Sequence, residues 1–332
     1  MHNSFHIICD RESIRLDVFL SEKLSITRTK VKDIVEGGHV RVNGKIPKAS
    51  LKIKKSMDIE GEVPEEEPLC LVPEDIPLEI LYEDEYFLAI NKPADMVVHP
   101  SFGHSSGTLV NAVLSYLKQP GTEHGAGGIA NEKDKSGGFW NENLEPRTLN
   151  IEPAHASVRP GIVHRLDKGT TGVILIAKNL KTQEMLSHLF KERSVKKTYR
   201  AIVEGNTKKE EWTVEGNIGR HPIERKKMAV LKTGGRTAET SFKLLRVLGG
   251  FTYLEAYPKT GRTHQIRVHL AHGGNPIVGD ETYGKKAKAL TPRPLLHAYR
   301  IEFIHPIRNI AVKIEAPVPV DMMQFIEKQC KM

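Results

Sequence analysis

The sequence predicts an α+β fold, a mixed and largely antiparallel sheet with helices packed on it. Three observations lead there. Short apolar runs rich in β-branched residues, among them Val173–Ala177, Thr198–Val203 and Phe251–Tyr257, read as strands. Such strands outnumber the helical segments that could carry parallel crossovers, so most neighbours must run antiparallel. The chain has 332 residues, 39% hydrophobic and 27% charged, which is room for two domains and a sizeable core.

Residues 1–61 read as a small separate module. Leu16, Phe19, Leu20 and Leu24 fall on one face of a helix. Thr27 or Thr29 can cap a second helix carrying Val31, Ile34 and Val35, which Gly37-Gly38 ends. Val40–Val42, the turn Asn43-Gly44 and Lys45-Ile46 read as a hairpin. Residues 28–55 hold nine Lys or Arg against two acids, a field suited to a polyanion. Residues 62–77 are rich in Pro and Glu and read as an acidic linker.

Residues 78–332 form the second region. Ile80–Tyr82 and Phe87–Ile90 read as strands around the turn Glu83–Glu85, the second stopped by Asn91-Lys-Pro93. Asp84 and Asp95 are expected to tolerate Asn almost silently. Thr108–Leu117 reads as a helix with Leu109, Val113, Leu114 and Leu117 inward. Residues 119–158, rich in Gly, Asn, Glu, Lys and His, read as a flexible surface insertion with few large apolar residues beyond Phe139 and Trp140. Its Gly125-Ala-Gly-Gly128 lacks the Lys-Ser or Lys-Thr of a phosphate loop. Asn179 can cap a helix to about Arg193. Thr237–Leu248, Arg300–Ile304 and Ile310–Ile314 are further strands, and Thr263–His272 and Val320–Gln329 further helices.

The chain is organised around Pro160–Gly172, where three glycines and two threonines surround one carboxylate, Asp167. Arg165 and Lys168 flank it, and the buried strand Val173–Ala177 follows. Glycine beside such a strand marks a close approach of backbone or ligand. Asp167 is therefore expected at a turn or strand edge, facing away from the core.

His164-Arg-Leu-Asp167, with Thr170 or Thr171 and Gly172, resembles the HRLDxxTxG signature of the RluA/RluD family of pseudouridine synthases. Lys197–Val203 resembles the family's tyrosine-bearing strand, Thr260–Leu270 its arginine motif and Leu295–Ile301 its closing strand. Tyr82–Pro100 resembles its first motif, with Lys92-Pro93 and His99-Pro100 expected to shape the active-site floor. The N-terminal module resembles the RNA-binding domain named after ribosomal protein S4, whose second helix would offer Arg28, Lys30 and Lys32, with Arg41 nearby, to phosphates.

The resemblance implies a pseudouridine synthase fold and an isomerase that detaches uracil from its sugar, turns it and rejoins it through carbon 5. No atom enters or leaves, so neither cofactor nor metal is expected. Asp167 would act on sugar or base as nucleophile or charge stabiliser. Arg267 would pair with it, and Tyr199 would stack on the uracil and serve deprotonation of carbon 5. Arg262 would hold phosphate. Arg165 would fill the space of the flipped base, with His164 beside it as a further RNA contact. The expected partner is large-subunit ribosomal RNA, of the RluD or RluC type, or a ribosome assembly intermediate; transfer RNA is the alternative substrate. A non-catalytic RNA-binding or assembly factor on the same fold is the rival reading.

A monomer in the cytoplasm is expected. Three well-separated cysteines (Cys9, Cys70, Cys330) suit a reduced setting, and neither a secretory leader nor a membrane span is apparent. His264, His269 and His272 resemble a metal cluster only superficially, since the spacing is not HExxH and no cysteine is near. The serine-hydrolase motif GxSxG is absent.

Overall fold

The computed structural model describes residues 3–64, 72–99, 106–118, 161–284 and 290–331. The expected insertion at 119–158, with Phe139 and Trp140, lies outside the described residues, as do Pro100 and Cys70. The chain divides into two compact units, Met1–Cys70 and Leu71–Met332.

In the first unit, helices α1 (Leu16–Lys23) and α2 (Arg28–Glu36) lie in chain order between β2 (Ile14–Arg15) and β3 (Val40–Val42). The apolar faces of both helices meet: Leu16, Phe19, Leu20, Val31, Ile34 and Val35 share one buried cluster with Ile53 and Ile59. Thr27 caps α2 by accepting from Lys30 N at 3.3 Å. Asn43 and Gly44 both take positive φ, as a two-residue turn demands. The expected hairpin, however, closes only one bridge, Val42 to Lys45. The main partner of β3 is β5 (Asp58–Val63), which also pairs with β1 (Asn3–Ile8); β4 (Lys52–Ile53) pairs with β2. Strand β5 thus runs past residue 61 into the stretch read as linker. Within 72–77, Val72 O accepts from Asn111 Nδ2 at 2.7 Å and Glu74 N donates to Asn111 O at 3.0 Å, so this part is bound rather than spanning free.

The second unit contains β6 (Ile80–Glu83), β7 (Phe87–Lys92), α3 (Leu109–Lys118), β8 (Thr171–Ala177), α4 (Leu180–Lys191) and β9 (Lys196–Glu204). After them come β10 (Glu211–Arg220), β11 (Met228–Leu231), β12 (Arg236–Leu248), β13 (Phe251–Pro258), α5 (Gln265–His272), β14 (Leu296–Ile304), β15 (Ala311–Glu315) and α6 (Val320–Cys330). Among the described residues the strands make one ten-stranded sheet, ordered β11-β10-β12-β13-β9-β14-β8-β7-β6 with β15 on β14. Every pairing is antiparallel except β14 with β8. On one edge of β14, His297 and Ala298 pair with β8 while Arg300–Ile304 pair with β15, so the sheet forks there.

Both faces are covered, which explains why all seven residues of β8 are buried. Leu88, Ile90, Ile174 and Ile176 pack on α3, while Ala201, Leu254 and Ala256 pack on Ile266 and Leu270 of α5. The opposite parity of β7 and β8 packs on Leu186 of α4, and Ile202 packs on Met322 and Phe325 of α6. Asn179 caps α4 by accepting from Thr182 N at 2.9 Å.

Two further features depart from the sequence reading. Strands β10 and β11 were not anticipated, because β10 alternates half-exposed residues with charges and carries two glycines, so no apolar run announces it. Asp84 is no bystander. Its carboxylate accepts from Tyr86 N, Phe87 N and Tyr82 Oη and lies 3.0 Å from His305 Nε2. Burial alone would raise its pKa, but these bonds, the two backbone donors foremost, hold it below the ordinary carboxylate value.

Candidate active site

The site is laid out by strand register. Lys92 of β7 stands opposite Gly172 of β8, Gly172 opposite Ala298 of β14, Ala298 opposite Tyr199 of β9, and Tyr199 opposite Ala256 of β13. Directly opposed residues point to the same face, here the face that α3 and α5 cover. Tyr199 packs against both clusters on that face. Its two neighbours in the row, Ala298 and Ala256, are both small, which leaves the ring flanked by low side chains. Gly172 is required: its φ is +108°, and a Cβ would lie 2.2 Å from Ala298 O.

Asp167 lies in the turn that feeds β8, five residues before this row. Two buried cations hold the turn by its carbonyls. Lys92 Nζ donates to Lys168 O at 3.1 Å, and also to Pro93 O at 2.7 Å and Met96 O at 2.9 Å. Arg293 Nη1 donates to Gly169 O at 3.3 Å, while its Nε and Nη2 grip Asp321 in the first turn of α6 at 2.6 and 2.7 Å. Burial, then the Arg293 charge, pulls the Lys92 amine down to about 8, with Asp167 and Asp95 opposing.

Arg267 of α5 faces Asp167. Its Nη1 donates to Asp167 Oδ2 at 3.1 Å, while Nε and Nη2 make a bidentate pair with Asp280 at 2.7 and 2.8 Å. The Asp280 side chain is 0% exposed and that of Arg267 9%, whereas Asp167 keeps 25%. One guanidinium thus spans a buried anchor and a carboxylate open to solvent. Burial works against the Arg267 charge. The bonds and charge of Asp280, with Asp167 behind them, overcome it and hold the group above its ordinary value. Gln265 fixes the start of α5, accepting from Thr260 Oγ1 and Arg262 N and donating to Glu239 O and Thr240 Oγ1. Tyr199 is raised above the ordinary phenol value by burial and then by the Asp167 charge, so it is a neutral phenol at neutral pH.

The residues singled out from sequence therefore separate into groups. Asp167 and Arg267 are in contact, and Tyr199 shares the rung into which the Asp167 turn leads. Arg165 is exposed on that turn. Arg262 is half-buried, with Nε donating to Thr237 O at 3.0 Å; burial, then Arg236 and Arg193, lowers its pKa. His164 does not fit the expected RNA contact. Its Nε2 accepts from Leu175 N at 2.9 Å and its ring stacks on Phe190 with centroids 4.6 Å apart. Burial, aided by Lys197, holds it at about 3, a neutral ring that secures strand β8. In the first unit Arg28 donates to Asp17 at 2.6 Å, so it is tied to a carboxylate. The Arg15 hydrogen bond, ahead of Arg28, holds Asp17 at about 2 against burial. Lys32 lies 3.4 Å from Glu36, and Lys30 is half-buried on the same helix.

The three histidines of the arginine motif diverge. His264 faces Asp167, His269 is buried against Thr240 Oγ1 at 3.0 Å, and His272 is exposed. Among the described residues no group of three His, Cys, Asp or Glu could hold a metal ion. Sequence reasoning missed Asp280, Arg293 and Asp321. The only local signal was Gly279-Asp280 before Tyr283-Gly284, a turn signature with no chemistry attached.

A carboxylate gripped by a buried arginine, beside a tyrosine on a mixed sheet, fits enzymes that act on a glycosidic bond. Residues 86–272 match the RNA pseudouridylate synthase family and residues 14–59 the S4 domain. The chain belongs to the RNA pseudouridylate synthase family, whose members are isomerases. Among its relatives, an uncharacterised RNA pseudouridine synthase of Synechocystis is 38% identical over 94% of this chain and 88% of its own length. The ribosomal large subunit pseudouridine synthase D of Neisseria meningitidis is 36% identical over 94% of this chain and 78% of its own. The solved structure of human RNA pseudouridylate synthase domain containing 4 is similar in fold, with a TM-score of 0.55 at 22% identity over 76% of this chain and 93% of that one.

Proposed function

We propose that this enzyme isomerises specific uridines of large-subunit ribosomal RNA, with Asp167, Arg267 and Tyr199 as its catalytic residues. The observation that carries the assignment is the fork of Arg267 between buried Asp280 and solvent-open Asp167. It gives one carboxylate a fixed geometry and a counter-charge in a half-buried site, which a nucleophile or a stabiliser of positive charge on the sugar requires. Tyr199, uncharged beside small neighbours, would receive the flipped uracil by stacking. A neutral phenol next to Asp167 can serve deprotonation of carbon 5 only by passing on its own proton. Arg262 would meet the backbone of the substrate, Arg165 would fill the space that the flipped base leaves, and residues 1–61 would supply further RNA contacts through Lys30, Lys32 and Arg28. The reaction is redox-neutral and these groups supply its charges, so neither cofactor nor metal is part of the proposal.

The ribosomal substrate is supported by the names of the Neisseria relatives at 36% identity. Mapping pseudouridine in large-subunit ribosomal RNA from cells with and without the gene tests it, and sites lost from transfer RNA instead would replace the substrate. Tritium release from carbon-5-labelled uridine separates an enzyme from a binding factor. Release is expected with the native chain and absent with Asp167→Asn.

A further inference from the structure

The described contacts of the Asp167 carboxylate fall on one of its two oxygens. Arg267 Nη1 lies 3.1 Å from Oδ2, and His264 Nε2 lies 3.8 Å from the same atom. His264 precedes α5 in the left-handed conformation, φ 56°, without capping the helix by its side chain. A non-glycine residue persists there only where its surroundings fix it. Tyr283 does so: its hydroxyl is 2.9 Å from His264 Nδ1, and the rings meet edge to face at 5.7 Å. That hydroxyl also accepts from Met228 N at 3.0 Å. The amide of Met228 can only donate, which leaves the phenol proton free to be donated to His264 Nδ1. A neutral imidazole with Nδ1 as acceptor carries its proton on Nε2, the nitrogen that faces Asp167.

We propose that His264 is a positioning residue of the active centre, locked by Tyr283 in the Nε2–H form, which shares Oδ2 of Asp167 with Arg267 and leaves Oδ1 as the oxygen that meets the substrate. The inference rests on the reading that Asp167 acts on the substrate. At 3.8 Å the contact is longer than a hydrogen bond, as catalytic contacts often are before substrate binds. The groups facing the ring are Asp167, Arg267, Asp280, Arg165 and Tyr283. Burial, the largest influence, holds the imidazole below its ordinary value against the pull of Asp167. It is therefore neutral at neutral pH and contributes no second cation to quench the carboxylate. Protonation on the acid side would turn Nδ1 into a donor, force the Tyr283 proton away and set an imidazolium against Oδ2.

Single-turnover tritium release by the full chain, measured against pH and RNA concentration, tests this. His264→Ala is expected to lose about tenfold to a hundredfold in rate, the worth of one hydrogen bond to a charged group, with RNA affinity unchanged. His264→Gln, whose amide can place an N–H where Nε2–H lies and cannot titrate, is expected to recover most of that rate. The acid limb of its pH profile should move to lower pH. Tyr283→Phe should lose rate and keep a titrating limb. A rate for His264→Ala within twofold of native, or a limb for His264→Gln that coincides with the native one, overturns the proposal. Should His264→Ala not fold, the Gln and Tyr283→Phe profiles decide. Asp167→Asn in the same assay separates the levels: activity there defeats the reading of Asp167 itself, whereas an inactive Asp167→Asn beside an unaffected His264→Ala defeats only the role of His264.

Discussion

Asp280→Asn is expected to damage the protein in two separable ways. The Asp280 carboxylate is fully buried and neutralises a guanidinium that is itself 9% exposed. Removing one partner of a buried pair costs about 3–5 kcal/mol. Asn retains one acceptor oxygen and Asp167 stays nearby, so a loss of roughly 2–4 kcal/mol is the better figure. For a unit of this size each kcal/mol lowers Tm by about 2–4 °C, giving a fall of roughly 4–16 °C. Catalysis should drop as well, since Arg267 would no longer be held with Nη1 toward Asp167. Asp167→Asn makes the contrast. It leaves both bonds from Arg267 to Asp280 and removes only the solvent-open charge, so Tm should stay within about 2 °C while the rate falls on the order of a thousandfold or more. Scanning calorimetry with single-turnover kinetics on both variants reads the two effects. If Asp280→Asn melts with the native protein, or if Asp167→Asn melts as low as Asp280→Asn, the division of Arg267 between anchor and reacting group is wrong.

His164 should confer an acid sensitivity. Its folded value of about 3 lies below the ordinary 6.5, so the unfolded chain takes up the proton first as pH falls. Its contribution is complete above pH 6.5 and is lost between 6.5 and 3, at up to ~1.4 kcal/mol per pH unit. Urea midpoints of the native chain and His164→Gln from pH 8 to 4 measure it; a difference that does not change with pH contradicts the buried neutral ring. Deleting residues 1–61 should weaken RNA binding and flatten its dependence on salt, because the segment 28–55 carries nine of the basic residues against two acids. The single-turnover rate at saturating RNA should remain within a few-fold of native, and its collapse would show that the first unit takes part in the chemistry.

Whatever depends on near neighbours was legible in the sequence. The helix faces of Leu16–Leu20 and Leu109–Leu117, the caps at Thr27 and Asn179, and the buried strand after Gly172 follow from periodicity and short-range hydrogen bonding. Asp167, Tyr199 and Arg267 could be picked out because each lies in a compact motif whose residue types constrain one another. Their supports could not. Asp280 sits 13 residues beyond Arg267 in a loop, and nothing in Gly279-Asp280 says that its carboxylate is buried against a guanidinium. Lys92 looked like a strand terminator and proved to donate to a carbonyl 76 residues away. His164 stands in the motif next to Arg165, yet folding turns its ring to the backbone of β8. Strands β5 and β10 carry little apolar signal of their own and exist through their partners, while the apolar run Met228–Leu231 of β11 is only four residues long. Local pattern decides which segments become helix or strand. Register across the sheet decides which side chains meet: five strands brought together only by folding set Lys92, Gly172, Ala298, Tyr199 and Ala256 in one row, and the buried charges close in around it because each is unstable there without the other.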